Sequence, residues 1–367
     1  GSHLSPGKEY FLNLRFSLKT DTFWGNKGLI LATDQYQLSV EAPDPVLVTI
    51  EDAPEIEIDE ECDPEVIKII GAAFSMEFSK SDGTLMKYQI DGQDLLKRGP
   101  KPNLWRAPTD NDRRGQLGFL FGYFQPDFQD MYREFQSIEC SRVSKNIVKV
   151  VSSTLIADGD ESDDIDYDDE GQSPWITEFT IYGHGDVKIN NKFHPKYHPP
   201  RIGVSLEIPK QFSNITWLGR GPHENYWDRK KSAHVGLYSG TVEELIHDYV
   251  MPQENGNRTE VRWLAALNDA NNGILFVGEQ LLSMSVWPYS QERLETAKHI
   301  NELMPRASSL TVNVDKKQMG IGGMGCGSLP KDEFIIEPGK YEYSYYIRYY
   351  KPEMGDITKL AREELPE

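Results

Sequence analysis

The sequence predicts a mostly β protein, built on one large antiparallel β-sandwich preceded by a partial immunoglobulin-like β segment. Three observations predict it. Apolar and polar residues alternate over short runs along most of the chain, the period-2 pattern of half-buried strands. Turn signals such as Ser81-Asp82-Gly83, Asp91-Gly92 and Gly183 to Asp186 separate these runs. Helical periodicity is confined to three short stretches.

A chain of 367 residues admits two domains, or one large β domain with an appendage. The opening Gly1-Ser2-His3 reads as the remnant of a cleaved tag, which makes residues 1–7 a lead-in. In YFLNLRFSLKT, Tyr10, Leu12, Leu14, Phe16 and Leu18 fall on one side of a half-buried strand, and GLILATDQYQLSV supplies a second. Residues 8–52 thus give about three strands, against the ~7 of a complete immunoglobulin-like sandwich. Residues 53–65, acidic and interrupted by prolines, are expected to be a solvated linker.

The large sandwich is expected over residues 66–351. VIKIIGAAFSMEFSK, LMKYQID, NIVKVVSSTLIA, WITEFTIYGHGDVKINNKFHP and IGVSLEIP are its strands in the first half. GILFVGE, LSMSVWPYS, SLTVNVDKKQMGIGG and KYEYSYYIRYY continue it. Only VEELIHDYV, TAKHINELM and DITKLAREEL carry a helical pattern, and the last gives the tail 352–367 a short helix.

The formal charge of −19 is local. Residues 51–65 and 158–170 each hold nine acids and no base, and together they account for all but one unit of it. The remainder is nearly neutral and has no basic stripe, which argues against nucleic-acid and anionic-membrane partners. No apolar run reaches the ~18 residues of a membrane-spanning helix. Cys62, Cys140 and Cys326 stand far apart, unlike a disulfide framework or a structural zinc site. Cytoplasmic and periplasmic locations both fit.

Functional chemistry concentrates in residues 215–263, which hold three of the seven tryptophans and two Pro-x-Glu-Asn tetrapeptides. Glu224-Asn225 and Glu254-Asn255 admit two readings. Paired carboxylates suit glycosidase acid and base roles, which need two groups ~5–9 Å apart. Alternatively each Glu accepts backbone N–H groups and anchors a loop beside an arginine such as Arg258, the reading favoured here. The stretch NLWRAPTDND ends in Asp110, Asn111 and Asp112, types that bond their own backbone and favour a turn over a helix. His194 and His198 have metal-like spacing, but the flanking prolines forbid the helix that would give it meaning. DDIDYDDEG lacks the glycine and glutamate of a calcium loop. MGIGGMGCGS has no helix behind it to cradle a phosphate and reads as a close-approach loop.

Taken in order, four motifs resemble the C-terminal part of the β-galactosidases of glycoside hydrolase family 2. They are NLWRAPTDND (103–112), ITWLGRGPHENYWDRK (215–230), YVMPQENGNRTEVRWL (249–264) and MGIGG followed by a strand (319–335). The likeness covers roughly residues 66–350, more weakly 8–52. It implies a galactose-mutarotase-like supersandwich. It also implies that the catalytic glutamates sit on a (β/α)₈ barrel not contained in this sequence, so neither Glu224 nor Glu254 matches them.

By the same resemblance, the segment from Asn111 borders the sugar pocket, giving Arg106, Asp110, Asn111, Asp112, Met324 and Cys326 as pocket candidates. Where some members present a tryptophan, this loop reads Met324-Gly325-Cys326-Gly327. Trp217, His223, Glu224, Asn225, Glu254, Asn255 and Arg258 are the structural motif. Implied partners are a β-galactoside or galactose, the rest of a β-galactosidase chain and a second copy in a homo-oligomer. No metal or cofactor falls to this stretch, the family's Mg and Na belonging to other domains. The alternative is a stand-alone carbohydrate-binding module or an aldose 1-epimerase. For the latter, His223 and Glu224 are the available acid–base pair, and adjacent residues of an extended segment point apart.

Overall fold

The computed structural model of the chain describes residues 5, 7–40, 43–48, 52–59, 63–114, 132–157, 173–195, 198–323 and 330–366. Strands β1 (Tyr10–Ser17) and β2 (Ile30–Leu38) form an antiparallel ribbon. Next, β3 (Glu57–Asp59), β4 (Val66–Ile70), β5 (Phe74–Ser79), β6 (Leu85–Ile90) and β7 (Gln93–Asp94) make a five-stranded meander. Asp91 (φ 49°) and Gly92 (φ 76°) turn its last hairpin, both in the left-handed region that a two-residue Asp-Gly turn requires.

Twelve strands form the large curled antiparallel sheet. In chain order these are β8 (Arg98–Asn103), β9 (Tyr132–Ser144), β10 (Ile147–Ala157), β11 (Ser173–Tyr182), β12 (Val187–His194) and β13 (Arg201–Pro209). They continue with β14 (Asn214–Gly221), β15 (His234–Thr241), β16 (Arg258–Leu267), β17 (Gly273–Trp287), β18 (Ser309–Gln318) and β19 (Tyr341–Tyr350). The long β17 is where the sheet forks: its first half pairs with β19 and its second with β18, which leads on to β13 and β8.

The meander packs on one face of this sheet. Met76, Phe78 and Tyr88 join Val150, Phe179, Ile202, Val204, Val312 and Val314 in one core, with Phe78 edge-on to Phe179 at 5.1 Å. On the sheet's other side, Ala361 and Leu365 of the tail cover Trp263, Leu275 and Tyr346. Among the described residues no helix is long and apolar enough to cross a membrane. The mostly β, antiparallel class expected from the alternation is the one observed.

Three expectations change. The segment read as a linker is not free: Ile56 is fully buried and β3 pairs with β4 as the meander's edge. In EIEID the isoleucines alternate with acids, a strand period hidden under the charge. Residues 8–52 contribute two strands among the described residues where three were expected, and the turn after them bonds the tail through Val48 N to Glu364 O at 2.8 Å. The helical stretches shrink to Val242–Leu245, the 3₁₀ turn Ile300–Leu303 and Ile357–Leu360, and a short helix not expected, Gln291–Thr296, precedes the second of them. Each is too short to persist without the sheet beside it.

Candidate functional site

Strand β18 is buried on both faces, and that fact locates the site. Leu310, Val312 and Val314 enter the main core, while Thr311, Asn313 and Asp315 point to the opposite face, where they are also buried. Strand β13 repeats the division, with Ile202, Val204 and Leu206 to the core and Arg201 to the polar face. Gly203 stands opposite Asp315 in the register, and a Cβ there would lie 1.8 Å from Asp315 Oδ1. Only glycine lets the carboxylate lie across the neighbouring strand.

Arg201 is the centre of this layer. It is fully buried, donates to Glu254 Oε1 at 2.6 Å and to Gln291 Oε1 at 3.1 Å, and sets Nε 3.3 Å from Asp315 Oδ2. Its guanidinium lies 5.8 Å from the Trp287 ring centroid. Asn103 reaches the same Gln291 oxygen at 2.8 Å, and Asn313 donates to Ser285 Oγ at 3.0 Å. Burial pushes the Asp315 carboxyl up to about 7 and raises Glu254 as well, with Arg201 opposing both.

Over this layer, four connections meet at one end of the large sheet: those following β8, β14 and β18 and the one preceding β16. Arg106 ties the first to the third. It is fully buried, bonds both Asp112 oxygens (3.0 and 2.8 Å) and donates to the carbonyls of Met319 and Gly320 at 2.6 and 3.1 Å. Asp112 also accepts from Thr109 N at 2.9 Å while Thr109 Oγ1 accepts from Asp112 N at 3.2 Å, a reciprocal cap. That cap makes Asp110–Arg114 one turn of helix where a turn was expected, and Thr-x-x-Asp was its sequence signal.

The two Pro-x-Glu-Asn tetrapeptides lock together. Glu224 accepts from Gly256 N at 2.7 Å and from the Tyr249 hydroxyl. Asn225 Oδ1 accepts from Thr259 N at 2.9 Å, and Asn257 Nδ2 donates to Asn225 O at 2.7 Å. Asn255 Oδ1 takes His247 N at 3.1 Å, and its carbonyl takes the Trp287 indole at 2.8 Å. Gly256, at φ +72°, is the residue that lets the chain turn there. Arg258 donates to Leu245 O at 2.8 Å and lies 5.2 Å from the Trp217 ring centroid; burial lowers its pKa to about 10. His223 is exposed and turns away to Ser232 Oγ at 3.0 Å.

The rim carries the remaining candidates. Asp110 is exposed and its N–H is held by Gln253 Oε1 at 2.9 Å; Asn111 Nδ2 donates to Ile321 O at 2.6 Å. Arg106 and Asp112, read from the sequence as facing a ligand, spend their polar atoms on each other and on backbone, Arg106 fully buried and the Asp112 side chain nearly so. They position the loop. Met324 and Cys326 lie outside the described residues. Sequence reasoning missed Asp228, whose carboxylate accepts from Ile321 N and Gly322 N at 3.1 and 2.9 Å, and also missed Arg201 and Asp315. Charges set inside apolar alternation, as in RIGVSL and LTVNVD, were the available signal for the last two. Among the described residues no group of three or more His, Cys, Asp or Glu is placed to hold a metal. A cavity of about 890 Å³ lies elsewhere, between the ribbon, the outer face of the sheet and the tail, and shares no lining residue with this cluster.

A curled antiparallel sheet with a second sheet on one face and an end built from interlocked loops defines a large antiparallel β-sandwich. A family model described as the β-galactosidase small chain matches residues 70–347, and the chain belongs to that family. A β-galactosidase of Priestia megaterium is 32% identical over 318 residues, covering 86% of this chain and 29% of the relative. One from Psychromonas ingrahamii is 30% identical over 355 residues, covering 94% and 33%. The chain therefore spans about a third of the length of these relatives. Among solved structures, a galactose 1-epimerase from Lactobacillus acidophilus NCFM aligns with a TM-score of 0.45 at 9% identity, over 81% of this chain and 98% of that one.

Proposed function

We propose that this chain is a non-catalytic portion of a β-galactosidase of the retaining glycoside hydrolase family 2 type, forming part of the wall of a sugar pocket whose acid and nucleophile lie on another part of the enzyme. What carries this reading is the fate of the two glutamates. Glu224 is consumed by Gly256 N–H and Tyr249, and Glu254 is fully buried against Arg201. Neither is presented to a substrate as the exposed pair that a glycosidase needs. The epimerase alternative loses its acid–base pair for the same reason, since His223 is turned to Ser232 and Glu224 to the next loop.

In this reading the rim formed by Asp110, Asn111 and the backbone of Gly320 to Gly322 faces the β-galactoside. The buried Arg106–Asp112 pair sets its height. Partners are the rest of the β-galactosidase and the sugar, with a homo-oligomer of the whole enzyme as the assembly. No nucleic acid, membrane, metal or cofactor is assigned to this portion.

The test is hydrolysis of a nitrophenyl β-galactoside. The chain alone is expected to match the buffer blank. Joined to the remaining two thirds of the Priestia megaterium relative, it is expected to give turnover. Turnover by the chain alone would overturn the reading.

A further inference from the structure

A small basic cavity adjoins the loop cluster, and two β-bulges shape it. β16 pairs with β17 at Arg258 opposite Met284 and again at Val261 opposite Leu282, so Thr259 and Glu260 together face the single residue Ser283. On the far side of β17, β18 pairs with β13 at Asp315 opposite Gly203 and next at Lys317 opposite Ile202, which leaves Lys316 as an extra residue. Bulges re-aim side chains, and these two deliver charge to one cavity of about 170 Å³ whose lining includes Glu260, Ser283, Lys316 and Lys317. Glu260 sits at φ 52°, in the left-handed region that residues with a Cβ seldom adopt and that gathers at binding sites. Trp227 also lines the cavity, and the next residue, Asp228, is the one that holds Ile321 N and Gly322 N.

The charges around this cavity do not balance. Its lining carries three lysines, Lys230, Lys316 and Lys317, against one acid, Glu260, in a chain whose formal charge is −19. Glu260 is already committed, accepting from Arg220 Nε at 2.7 Å and from Lys230 Nζ at 2.6 Å. Among the described residues Lys316 and Lys317 form no ion pair. The Lys317 ammonium lies 4.7 Å from the Trp227 ring centroid and 5.7 Å from that of Tyr341, which fixes its position without neutralising it. Burial, and then Lys317 beside it, lowers the pKa of Lys316, and no carboxylate opposes them. Gln318, 3% exposed, lines the cavity as well. Its amide adds to the pull on the Glu254 carboxyl, yet neither of its polar atoms completes a hydrogen bond. Two half-buried cations without a counter-charge beside an unbonded buried amide form a site for an anion. Its size, below the ~300–1,000 Å³ of drug-sized pockets, restricts the occupant to one oxyanion or one ring that bears it.

We propose that the cavity between the two bulges binds a phosphate group, free or carried on a single sugar ring, with Lys316, Lys317 and Lys230 as its cationic wall. Three ammonium groups against one carboxylate leave two positive charges, which a phosphate dianion neutralises and a carboxylate does not. Lysine serves such a group as a point charge, and Gln318 and Ser283 stand in the same lining to supply hydrogen bonds. The site is separate from the Asp110 and Asn111 side of the rim and stands whether or not that rim faces a β-galactoside.

The experiment is calorimetric titration of the chain, at fixed ionic strength, with inorganic phosphate, galactose 6-phosphate, galacturonate and galactose. Saturable binding of the two phosphates is expected, with galactose giving no heat. Tighter binding of galactose 6-phosphate would mark a carried phosphate, and equal affinities a free one. Lys316→Met with Lys317→Met is expected to weaken phosphate binding about tenfold or more, while Lys331→Met, at an exposed lysine, leaves it unchanged. A second readout needs no variant: with phosphate at saturation, acetylation of Lys316 and Lys317, followed by peptide mass spectrometry, is expected to slow about tenfold while Lys331 reacts as before. Absence of phosphate binding would overturn the proposal, as would galacturonate binding as tightly as galactose 6-phosphate. Phosphate binding that leaves both lysines unprotected, or that survives intact in a folded double variant, would place the anion elsewhere and overturn it too.

Discussion

The loop cluster over β13 and β18 and the ribbon β1–β2 break the ordinary rule of burial in opposite directions. The cluster buries Arg106, Arg201, Glu254 and Asp315, charged groups that are costly to remove from water. The ribbon exposes Leu12, Phe16 and Tyr36, which water would rather not hydrate. The difference lies in whether each region contains its own partners. Every buried cation of the cluster finds carboxylates or carbonyls on nearby loops and strands, while Arg201 Nε, Glu254 Oε2 and both Asp315 oxygens are buried without a hydrogen-bond partner. The ribbon has bonded its polar face to the large sheet and left Leu12, Phe16 and Tyr36 about half exposed.

The largest expected effect comes from breaking the cluster's centre. Arg201→Met removes the cation that compensates two fully buried carboxylates and is expected to cost about 3–5 kcal/mol at neutral pH, read as a lower urea midpoint. A midpoint within error of the parent would mean that the pair does not organise the region.

A smaller effect follows from the buried acids. The Asp315 carboxyl keeps its proton up to about 7 in the folded chain but releases it near 3.8 when unfolded. Between these values the native state binds more protons, so this group's contribution to stability is full at low pH and is lost as pH rises toward 7. Asp315→Asn is expected to flatten the fall in urea midpoint across that window, with Glu254, shifted upward by the same burial, leaving a residual slope. An unchanged slope would place the titration elsewhere.

The smallest effect belongs to the ribbon. Leu12→Lys with Tyr36→Lys, at two half-exposed side chains of which Tyr36 bonds Asp34 two residues away, is expected to change the stability of the isolated chain by less than about 0.5 kcal/mol, measured in the same urea titration. A loss several times larger would show that the face is already engaged within the chain, erasing the contrast between the two regions.

Much of the fold was legible because strands write their period into the sequence. The alternation in KYEYSYYIRYY or IGVSLEIP places each strand, and Asp91-Gly92 places a hairpin. β3 was lost because acids occupy every outward position of EIEID and resemble a linker. The site was legible as location but not as role. The four motifs of residues 103–112, 215–230, 249–264 and 319–323 do converge at one end of the sheet. Arg106 and Asp112 looked like ligand-facing groups because residue type does not report burial. Asp228, Arg201 and Asp315 went unnoticed because their partners are 53 to 114 residues away along the chain.

By itself the sequence determined the β class, the turn positions, the family through four ordered motifs, and which side chains share a face of each strand. These follow from local stereochemistry: a two-residue period and a left-handed turn need no distant partner. Tertiary structure alone decided which face of each strand is covered, and hence that β18 hides a carboxylate on one side while the ribbon shows leucine and tyrosine on the other. Burial is a property of what lies opposite, and what lies opposite is set by strands far apart in sequence.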